Sequence, residues 1–141
     1  MREWEKRLRS ANLRVTRPRL AVLAELHEHP HSGVDEIAAG ARRRIGSLST
    51  QAVYDVLHAL TEARLLRRVE PAGSRPRFEL QTDDNHHHLV CRSCGALADV
   101  ECDGPGAPCL HPRADAGFVI DEAEVTFWGM CPDCQRSTQP N

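Results

Sequence analysis

Two pairs of cysteines are the residues of this sequence best suited to metal chemistry. Each pair has two residues between its members, and 36 residues separate the pairs, which are Cys91 with Cys94 and Cys131 with Cys134. A C-x-x-C turn directs two thiolates at one point, so two turns supply the tetrahedral set of four sulfurs that zinc prefers. The alternatives are reduced free thiols or a thioredoxin-type redox motif, which uses one C-x-x-C at a helix start rather than two after strands. The spacing predicts a structural Zn(II) site that supports folding.

Two further cysteines, Cys102 and Cys109, lie in a stretch rich in glycine and proline. One interpretation makes them small apolar side chains or loop thiols, and the other makes them a redox pair. The sequence leaves both interpretations open.

A second set of metal-binding side chains surrounds a run of three histidines. On an extended chain His86 and His88 point to one side and His87 to the other. Imidazoles and carboxylates that suit Fe(II), Mn(II) or Zn(II) are therefore available from five residues, namely His31, Glu79, His86, His88 and Asp99. A histidine run beside the polar residues 83–85 is also typical of a solvated loop. Spacing alone leaves metal binding open here.

The charge distribution divides the chain into two halves with different partners. Residues 1–78 contain fifteen Lys and Arg against nine Asp and Glu, a net charge of +6, whereas residues 79–141 contain three against eleven, a net charge of −8. The basic half suits a polyanion such as nucleic acid, and the acidic half does not. The apolar runs are too short for a membrane helix, and we expect neither a membrane anchor nor a secretory signal. Six cysteines in such a chain favour a reducing, cytoplasmic location.

The elements that must position these residues follow from periodicity and capping. Apolar spacing predicts four helices, at about residues 2–12, 17–29, 33–44 and 50–63. Strand-like runs at 65–69 and 77–80 enclose a turn at 71–74. Helices followed by a basic hairpin predict a winged helix-turn-helix, with the last helix in the major groove and the hairpin on the backbone. The alternative is a small helical core whose polar faces contact only water.

The second half of the chain predicts a smaller module. Strands are expected at 88–90, 96–100, 118–120 and 125–128, and the Gly- and Pro-rich stretch 103–117 disfavours a long helix. The domain prediction is a DNA-binding domain at 1–80, a linker at 81–85 and a metal-binding module at 86–141.

Several motifs resemble those of the ferric uptake regulator (Fur) family. They are RVTRPR at residues 14–19, STQAVY at 49–54, RFE at 77–79 and HHHLVC at 86–91, together with the two C-x-x-C pairs. The resemblance runs over about residues 8–135. Within the family the chain is most similar to the actinobacterial FurA/CatR branch, whose regulators are tied to catalase-type genes and the peroxide response.

The resemblance implies a homodimer with an N-terminal winged helix, a C-terminal α/β dimerisation domain, structural zinc at the paired cysteines and a regulatory Fe(II) or Mn(II) site. It carries the regulatory site onto His31, Glu79, His86 and His88, with Asp99 as an optional fifth ligand. The best-known peroxide sensors have Asp at the position of Glu79, whereas this chain and the iron sensors have Glu. An iron signal therefore stays open. A further metal site of some members would need a histidine at Ala123, and we expect that site to be absent.

The expected DNA-binding surface combines the fourth helix with arginines at and just before the start of the second. Gln51 and Tyr54 are the candidates for base contact, with Thr50 positioning, although Tyr54 alternatively packs against the hairpin. Arginines expected at phosphate or in the minor groove are Arg14, Arg17 and Arg19.

The sequence thus predicts an α+β protein that acts as a metal-dependent repressor, binds palindromic operator DNA and responds to peroxide, controlling catalase-type oxidative-stress genes. By the resemblance, peroxide reacting at bound Fe(II) would oxidise ligand histidines and lift repression. The alternatives are an iron-availability sensor of the same fold and a thiol switch that releases zinc. Motifs of deaminases, phosphate loops and nucleophile elbows are absent, so we expect no enzyme and no small-molecule substrate beyond peroxide as a signal.

Overall fold

The chain forms two compact units, Met1–Thr82 and Asp83–Asn141. A computed structural model describes residues 2–81, 86–101, 113–120 and 123–138. The first unit has four helices followed by two strands, and the described residues of the second unit form three strands and a helix, so the predicted α+β class is confirmed. Within the described ranges, no helix has the length and apolar character needed to cross a membrane.

The helices of the first unit begin where side-chain caps satisfy free backbone N–H groups. They are α1 (Arg2–Ser10), α2 (Arg17–Glu28), α3 (Val34–Ile45) and α4 (Thr50–Glu62), and their ends differ from the predicted ones by at most two residues. The Thr16 hydroxyl accepts from the Arg19 N–H at 3.3 Å, and Pro18 lies in the first turn of α2. Likewise the Ser49 hydroxyl accepts from the Ala52 N–H at 3.0 Å. These caps fix the start of α2 and α4.

The apolar stripes of these helices meet in one core. Leu8, Leu26, Ile37 and Leu60 are at most 1% exposed, so all four helices contribute to it. Burial of one such side chain contributes about 1.5–3 kcal/mol. The core therefore gives the first unit its own source of stability.

A two-stranded hairpin completes the first unit. Strands β1 (Leu66–Val69) and β2 (Arg77–Leu80) pair antiparallel. An isolated bridge between Ser32 and Phe78 adds the chain just before α3 to the free edge of β2. This pairing holds the α2–α3 connection against the hairpin.

The described residues of the second unit form a three-stranded sheet and a short helix. Its central strand β3 (His86–Cys91) pairs antiparallel with β4 (Leu97–Glu101) and parallel with β5 (Thr126–Gly129), which helix α5 (Pro132–Thr138) follows. Because β3 and β5 are parallel, their carboxyl ends lie at the same edge of the sheet. A C-x-x-C turn follows each strand at that edge.

The predicted strand at residues 118–120 was wrong. No strand pairs with these residues in the described parts of the chain, and Phe118 and Val119 are 76% and 96% exposed. An apolar run becomes a strand only when another strand satisfies its backbone groups. Helix α5 was not predicted, since its seven residues have no apolar periodicity, and it puts Cys131 directly before a helix.

Candidate metal centres and nucleic-acid interface

Four cysteine sulfurs lie together at the carboxyl edge of the sheet. The Sγ atoms of Cys91, Cys94, Cys131 and Cys134 are all within 4.8 Å of one another, and those of Cys94 and Cys131 are 3.7 Å apart. A tetrahedral zinc ion with Zn–S bonds of about 2.3 Å needs sulfurs about 3.8 Å apart. The donor set and its spacing therefore fit Zn(II).

Backbone N–H groups point at these sulfurs and favour their ionised form. The Cys91 sulfur accepts from the N–H of Cys131 at 3.3 Å and from that of Cys94 at 3.5 Å. The first bond is the larger cause, and together they lower the pKa of Cys91 to about 6. A thiolate ready to bind a cation results.

The pKa of Cys134 shifts in the opposite direction. A hydrogen bond with the Ser93 side chain acts to lower the pKa of Cys134, but contacts with Cys131 and Cys94 raise it to about 12. Like charges in contact disfavour ionisation, whereas a divalent cation among them reverses that effect. A divalent cation among the four sulfurs would therefore stabilise all of them as thiolates.

In the first unit, His31 and Glu79 form a buried pair. The Nε2 atom of His31 lies 3.0 Å from Oε2 of Glu79, and the two side chains are 12% and 4% exposed. The bridge described above positions the pair: the His31 N–H donates to the Phe78 carbonyl at 3.0 Å, and the Phe78 N–H donates to the Ser32 carbonyl at 2.9 Å. One imidazole and one carboxylate are thus held as potential ligands.

The backbone at His31 is in the left-handed region, with φ of +66°. This conformation is uncommon for residues other than glycine, although histidine enters it more readily than most. Such strain persists where the surroundings enforce it, often at functional sites. Here it turns the imidazole back toward β2.

In the second unit, His88 and Asp99 form a comparable pair. They are direct partners across β3 and β4, with His88 Nε2 3.5 Å from Asp99 Oδ1. His88 is 1% exposed, whereas Asp99 is about half exposed. His87 is also buried, and its Nδ1 accepts from the Val125 N–H at 3.2 Å. That bond makes His87 a link between β3 and the segment before β5.

Other predicted residues are only partly described or lie outside the structure. His86 is the first residue of β3, and nothing is described of its side chain. Cys102 and Cys109 lie outside the described residues, so neither interpretation of them is tested.

The exposed face of α4 carries the residues predicted to contact DNA. Thr50, Gln51 and Tyr54 are exposed, Tyr54 by 51%, so the Tyr54 ring is not buried against the hairpin. Gln51 Nε2 donates to Asp55 Oδ1 at 2.9 Å. A carboxylate on this face repels phosphate, so not every polar side chain of the face is a phosphate contact.

The three arginines at and just before the start of α2 differ in their solvent exposure. Arg14 and Arg17 are exposed, whereas Arg19 is partly buried and donates from Nη1 to the Arg14 carbonyl at 2.7 Å. Two of the three cations are therefore on the surface.

One residue near this face, Arg42, was not predicted from the sequence. Arg42 of α3 donates from Nε to the Leu48 carbonyl at 2.8 Å and from Nη2 to the Thr50 hydroxyl at 3.2 Å. Arg42 is the first of three consecutive arginines, and that run indicates only a basic helix end. The i+6 and i+8 contacts require the turn between the helices.

Comparison with known proteins gives one family. Residues 10–127 match the profile of the Ferric uptake regulator family. The chain is 53% identical over 135 residues to the transcriptional regulator FurA of Mycobacterium tuberculosis, covering 96% of this chain and 92% of that protein. It is 56% identical over 121 residues to ferric uptake regulation protein 1 of Mycolicibacterium fortuitum, covering 86% and 75%.

Solved structures have the same fold. The ferric uptake regulator Fur of Helicobacter pylori, whose structure has three functional metal-binding sites, matches with a TM-score of 0.72. The match covers 98% of this chain and 93% of that one at 18% identity.

Proposed function

The chain belongs to the ferric uptake regulator family, and we propose that it is a metal-dependent repressor that binds palindromic operator DNA and responds to peroxide. Members of this family are transcriptional regulators rather than enzymes. We assign DNA binding to residues 1–80 and metal binding and dimerisation to residues 86–141, joined by a linker at 81–85. The proposed regulator acts in the cytoplasm, on catalase-type oxidative-stress genes.

The observation that carries this proposal is the buried His31–Glu79 pair. The Glu79 carboxylate is only 4% exposed and lies 3.0 Å from the His31 imidazole, and this combination of nitrogen and oxygen donors suits Fe(II) or Mn(II). This pair lies in the unit that also carries α4. Metal bound here therefore acts directly on the part of the chain that reads DNA.

We propose that a single Fe(II) or Mn(II) ion also takes ligands from the second unit, namely His86, His88 and, optionally, Asp99. Each described pair offers one nitrogen and one oxygen donor, whereas these ions prefer more donors than two. An ion shared by both units would restrict their relative motion. The fraction of binding-competent protein would then rise with metal.

We assign structural zinc to Cys91, Cys94, Cys131 and Cys134. The four sulfurs supply a closed tetrahedral site, which has no open position for substrate. The described residues of the second unit bury only four side chains, those of His87, His88, Val90 and Cys91. Metal binding compensates for so small a core.

The proposed homodimer is supported by exposed apolar side chains on the second unit. Phe118, Phe127, Trp128 and Met130 are 37–76% exposed. A second copy covering them would gain about 25 cal/mol per Å² of apolar area. A two-fold axis would present two copies of α4 to half-sites one helical turn apart, which requires a palindrome.

On DNA, we propose that Gln51 and Tyr54 contact base edges and that Thr50 positions them, with Arg14, Arg17 and Arg19 at phosphate or in the minor groove. The exposure of Gln51 and Tyr54 on α4 supports this assignment. The hairpin contributes one further cation, Arg68. Its side chain is half exposed, and its Nη2 atom lies 3.0 Å from Oε2 of Glu70.

The peroxide signal rests on the chemistry of the proposed ligands. Fe(II), if held by these residues, would supply the electrons that reduce peroxide, and the imidazoles that hold it would then be open to oxidation. Glu79 and Asp99 hold His31 and His88 in place. Oxidation of either ring would therefore remove a metal ligand that the neighbouring residues cannot replace. An iron-availability sensor is the second candidate, because Glu79 stands where peroxide sensors have Asp.

The test compares DNA binding by Fe(II)- and Mn(II)-loaded protein, measured by fluorescence anisotropy before and after a brief peroxide pulse. The duplex comes from in vitro selection with the Mn(II)-loaded protein. Peroxide sensing predicts loss of binding in the Fe(II) sample alone, unrecovered with dithiothreitol, and the mass of one oxygen atom added to a His31 or His88 peptide.

Each rival function predicts a different result. Binding that survives peroxide but not chelation identifies an iron sensor. Binding that dithiothreitol restores identifies a thiol switch at the cysteines. A protein that enriches no duplex with either metal is not a metal-dependent DNA-binding regulator.

A further inference from the structure

One arginine, Arg42, makes three hydrogen bonds that hold the turn between α3 and α4. Besides the side-chain bonds to the Leu48 carbonyl and the Thr50 hydroxyl, the Arg42 carbonyl accepts from the Gly46 N–H at 2.8 Å. Gly46 has φ of +85°, a conformation that favours glycine and reverses the chain after α3. Arg42 therefore contacts the beginning, the middle and the end of this turn.

The two neighbouring arginines bind in a different direction. Arg44 contacts Glu25 at 3.1 Å and Glu28 at 2.9 Å, and Arg43 lies 3.7 Å from Glu25. Both glutamates are on α2. Arg43 and Arg44 thus join α3 to α2, whereas the side-chain hydrogen bonds of Arg42 join α3 to the turn and to the first residue of α4.

Thr50 is the first residue of α4 and precedes Gln51, the residue proposed to contact a base. Its hydroxyl oxygen accepts a hydrogen bond from Arg42, so the hydroxyl proton must point away from the guanidinium. The same bond fixes the side-chain rotamer at the first turn of the helix. A recognition helix reads bases through its N-terminal residues, so small rotations there change which base edge is met.

We propose that Arg42 is a positioning residue for operator recognition, which sets the angle of α4 and the orientation of the Thr50 hydroxyl without itself supplying the sequence contact. This proposal rests on the proposed DNA-binding function. A planar guanidinium reaches two acceptors at once in fixed geometry, and a lysine keeps the charge but cannot reproduce that fork. The role therefore depends on the shape of the side chain and not on its charge.

The experiment measures the Kd of full-length, Mn(II)-loaded protein for its selected duplex and for a scrambled duplex of equal length and composition, at several salt concentrations. The variants are Arg42→Lys and Arg42→Ala. Arg43→Lys is the matched control, because Arg43 is on the same helix and contacts α2. Thermal unfolding midpoints check the fold of every variant.

We expect Arg42→Lys to weaken binding to the selected duplex about tenfold and to leave the scrambled duplex within about twofold. The salt slope of Arg42→Lys should equal that of the wild type, and Arg43→Lys should change neither affinity. The proposal is overturned if Arg42→Lys binds the selected duplex like wild type. It is also overturned if binding to both duplexes weakens in parallel. A lowered unfolding midpoint would then indicate a loss of folding, and a salt slope reduced by about one in Arg42→Ala would indicate a phosphate contact.

A double-mutant cycle tests the route through Thr50. Thr50→Val should weaken selected binding in the wild-type background, and it should add less than about twofold in the Arg42→Lys background. Independent, multiplicative effects would exclude Thr50 as the route. If the wild type enriches no duplex at all, the proposed function has failed, whereas wild-type binding with an unaffected Arg42→Lys variant rejects only this inference.

Discussion

Two glutamates of the first unit are buried, and different partners compensate their charges. Glu25 is 5% exposed and pairs with Arg44, whose pKa is raised chiefly by that hydrogen bond. Glu79 is 3% exposed and lies against His31. Guanidinium is always cationic, but imidazole is neutral at neutral pH unless its surroundings favour the proton. Glu79 thus lies beside an imidazole, which can itself bind a metal ion, whereas Glu25 lies beside a guanidinium, which cannot.

His31→Ala tests this difference. We expect the variant to lose metal-dependent DNA binding and to bind Mn(II) at least about tenfold more weakly, because one nitrogen ligand is removed. Its zinc content should be unchanged. Titration followed by electron paramagnetic resonance of free Mn(II) measures the affinity.

His29→Ala is the control, since His29 is on the same loop and largely exposed. A shared ion predicts one Mn(II) per chain, lost in both His31→Ala and His88→Ala. Two weak, independent sites would instead each survive the loss of the other.

Cys91→Ser tests the zinc assignment at the residue with the lowered pKa. The hydroxyl of serine does not ionise near neutral pH, so the variant should lose its bound zinc, measured by elemental analysis. Cys102→Ser, which changes a cysteine outside the two C-x-x-C motifs, should keep about one zinc per chain. Equal zinc in both variants would contradict the assignment.

At the level of elements, α2 and α3 meet at Gly40. A Cβ atom on Gly40 would overlap the carboxyl group of Glu25, which itself holds Arg44. The absence of a side chain at Gly40 thus makes room for a buried ion pair between the helices.

We expect Gly40→Ala to lower the free energy of unfolding by about 1–3 kcal/mol, although alanine alone favours a helix by about 1 kcal/mol over glycine. In the Glu25→Ala background the same change should be neutral or stabilising, because the overlap is gone. Urea denaturation of the four proteins measures both effects. Equal destabilisation in the two backgrounds would show that Glu25 is not the obstacle.

Across the whole molecule, the two units depend on different sources of stability. The first unit has the apolar core shared by its four helices, whereas the described part of the second buries four side chains beside the cysteine cluster. The chain has two tryptophans, one in each unit. Trp4 packs edge-on to His27, and Trp128 lies beneath the guanidinium of Arg92, 5.1 Å from its ring centroid.

This arrangement predicts that zinc removal unfolds the second unit alone. With zinc chelated under reducing conditions, the fluorescence of the Trp4→Phe variant should resemble that of unfolded protein, because Trp128 is its only reporter. The Trp128→Phe variant should still show the cooperative thermal transition of Trp4. Simultaneous loss of both signals would mean that the first unit also depends on the metal.

The sequence by itself determined the elements that depend on near neighbours. Four helices and the hairpin were predicted because periodicity and capping act over a few residues. The C-x-x-C pairs predicted a zinc site for the same reason, and the family followed from motifs. The zinc assignment, the base contacts, the regulatory ligand set and the peroxide signal stay predictions.

Only the tertiary structure decided the contacts between distant residues. His31 meets Glu79 across 48 positions because residue 32 pairs with the edge of β2. Parallel pairing of β3 with β5 brings the cysteine turns to one edge, while the strand predicted at residues 118–120 did not form. Arg42 reaches Thr50 only after the turn reverses the chain. Such contacts depend on which surfaces pack and which edges find partners, and no local pattern encodes that choice.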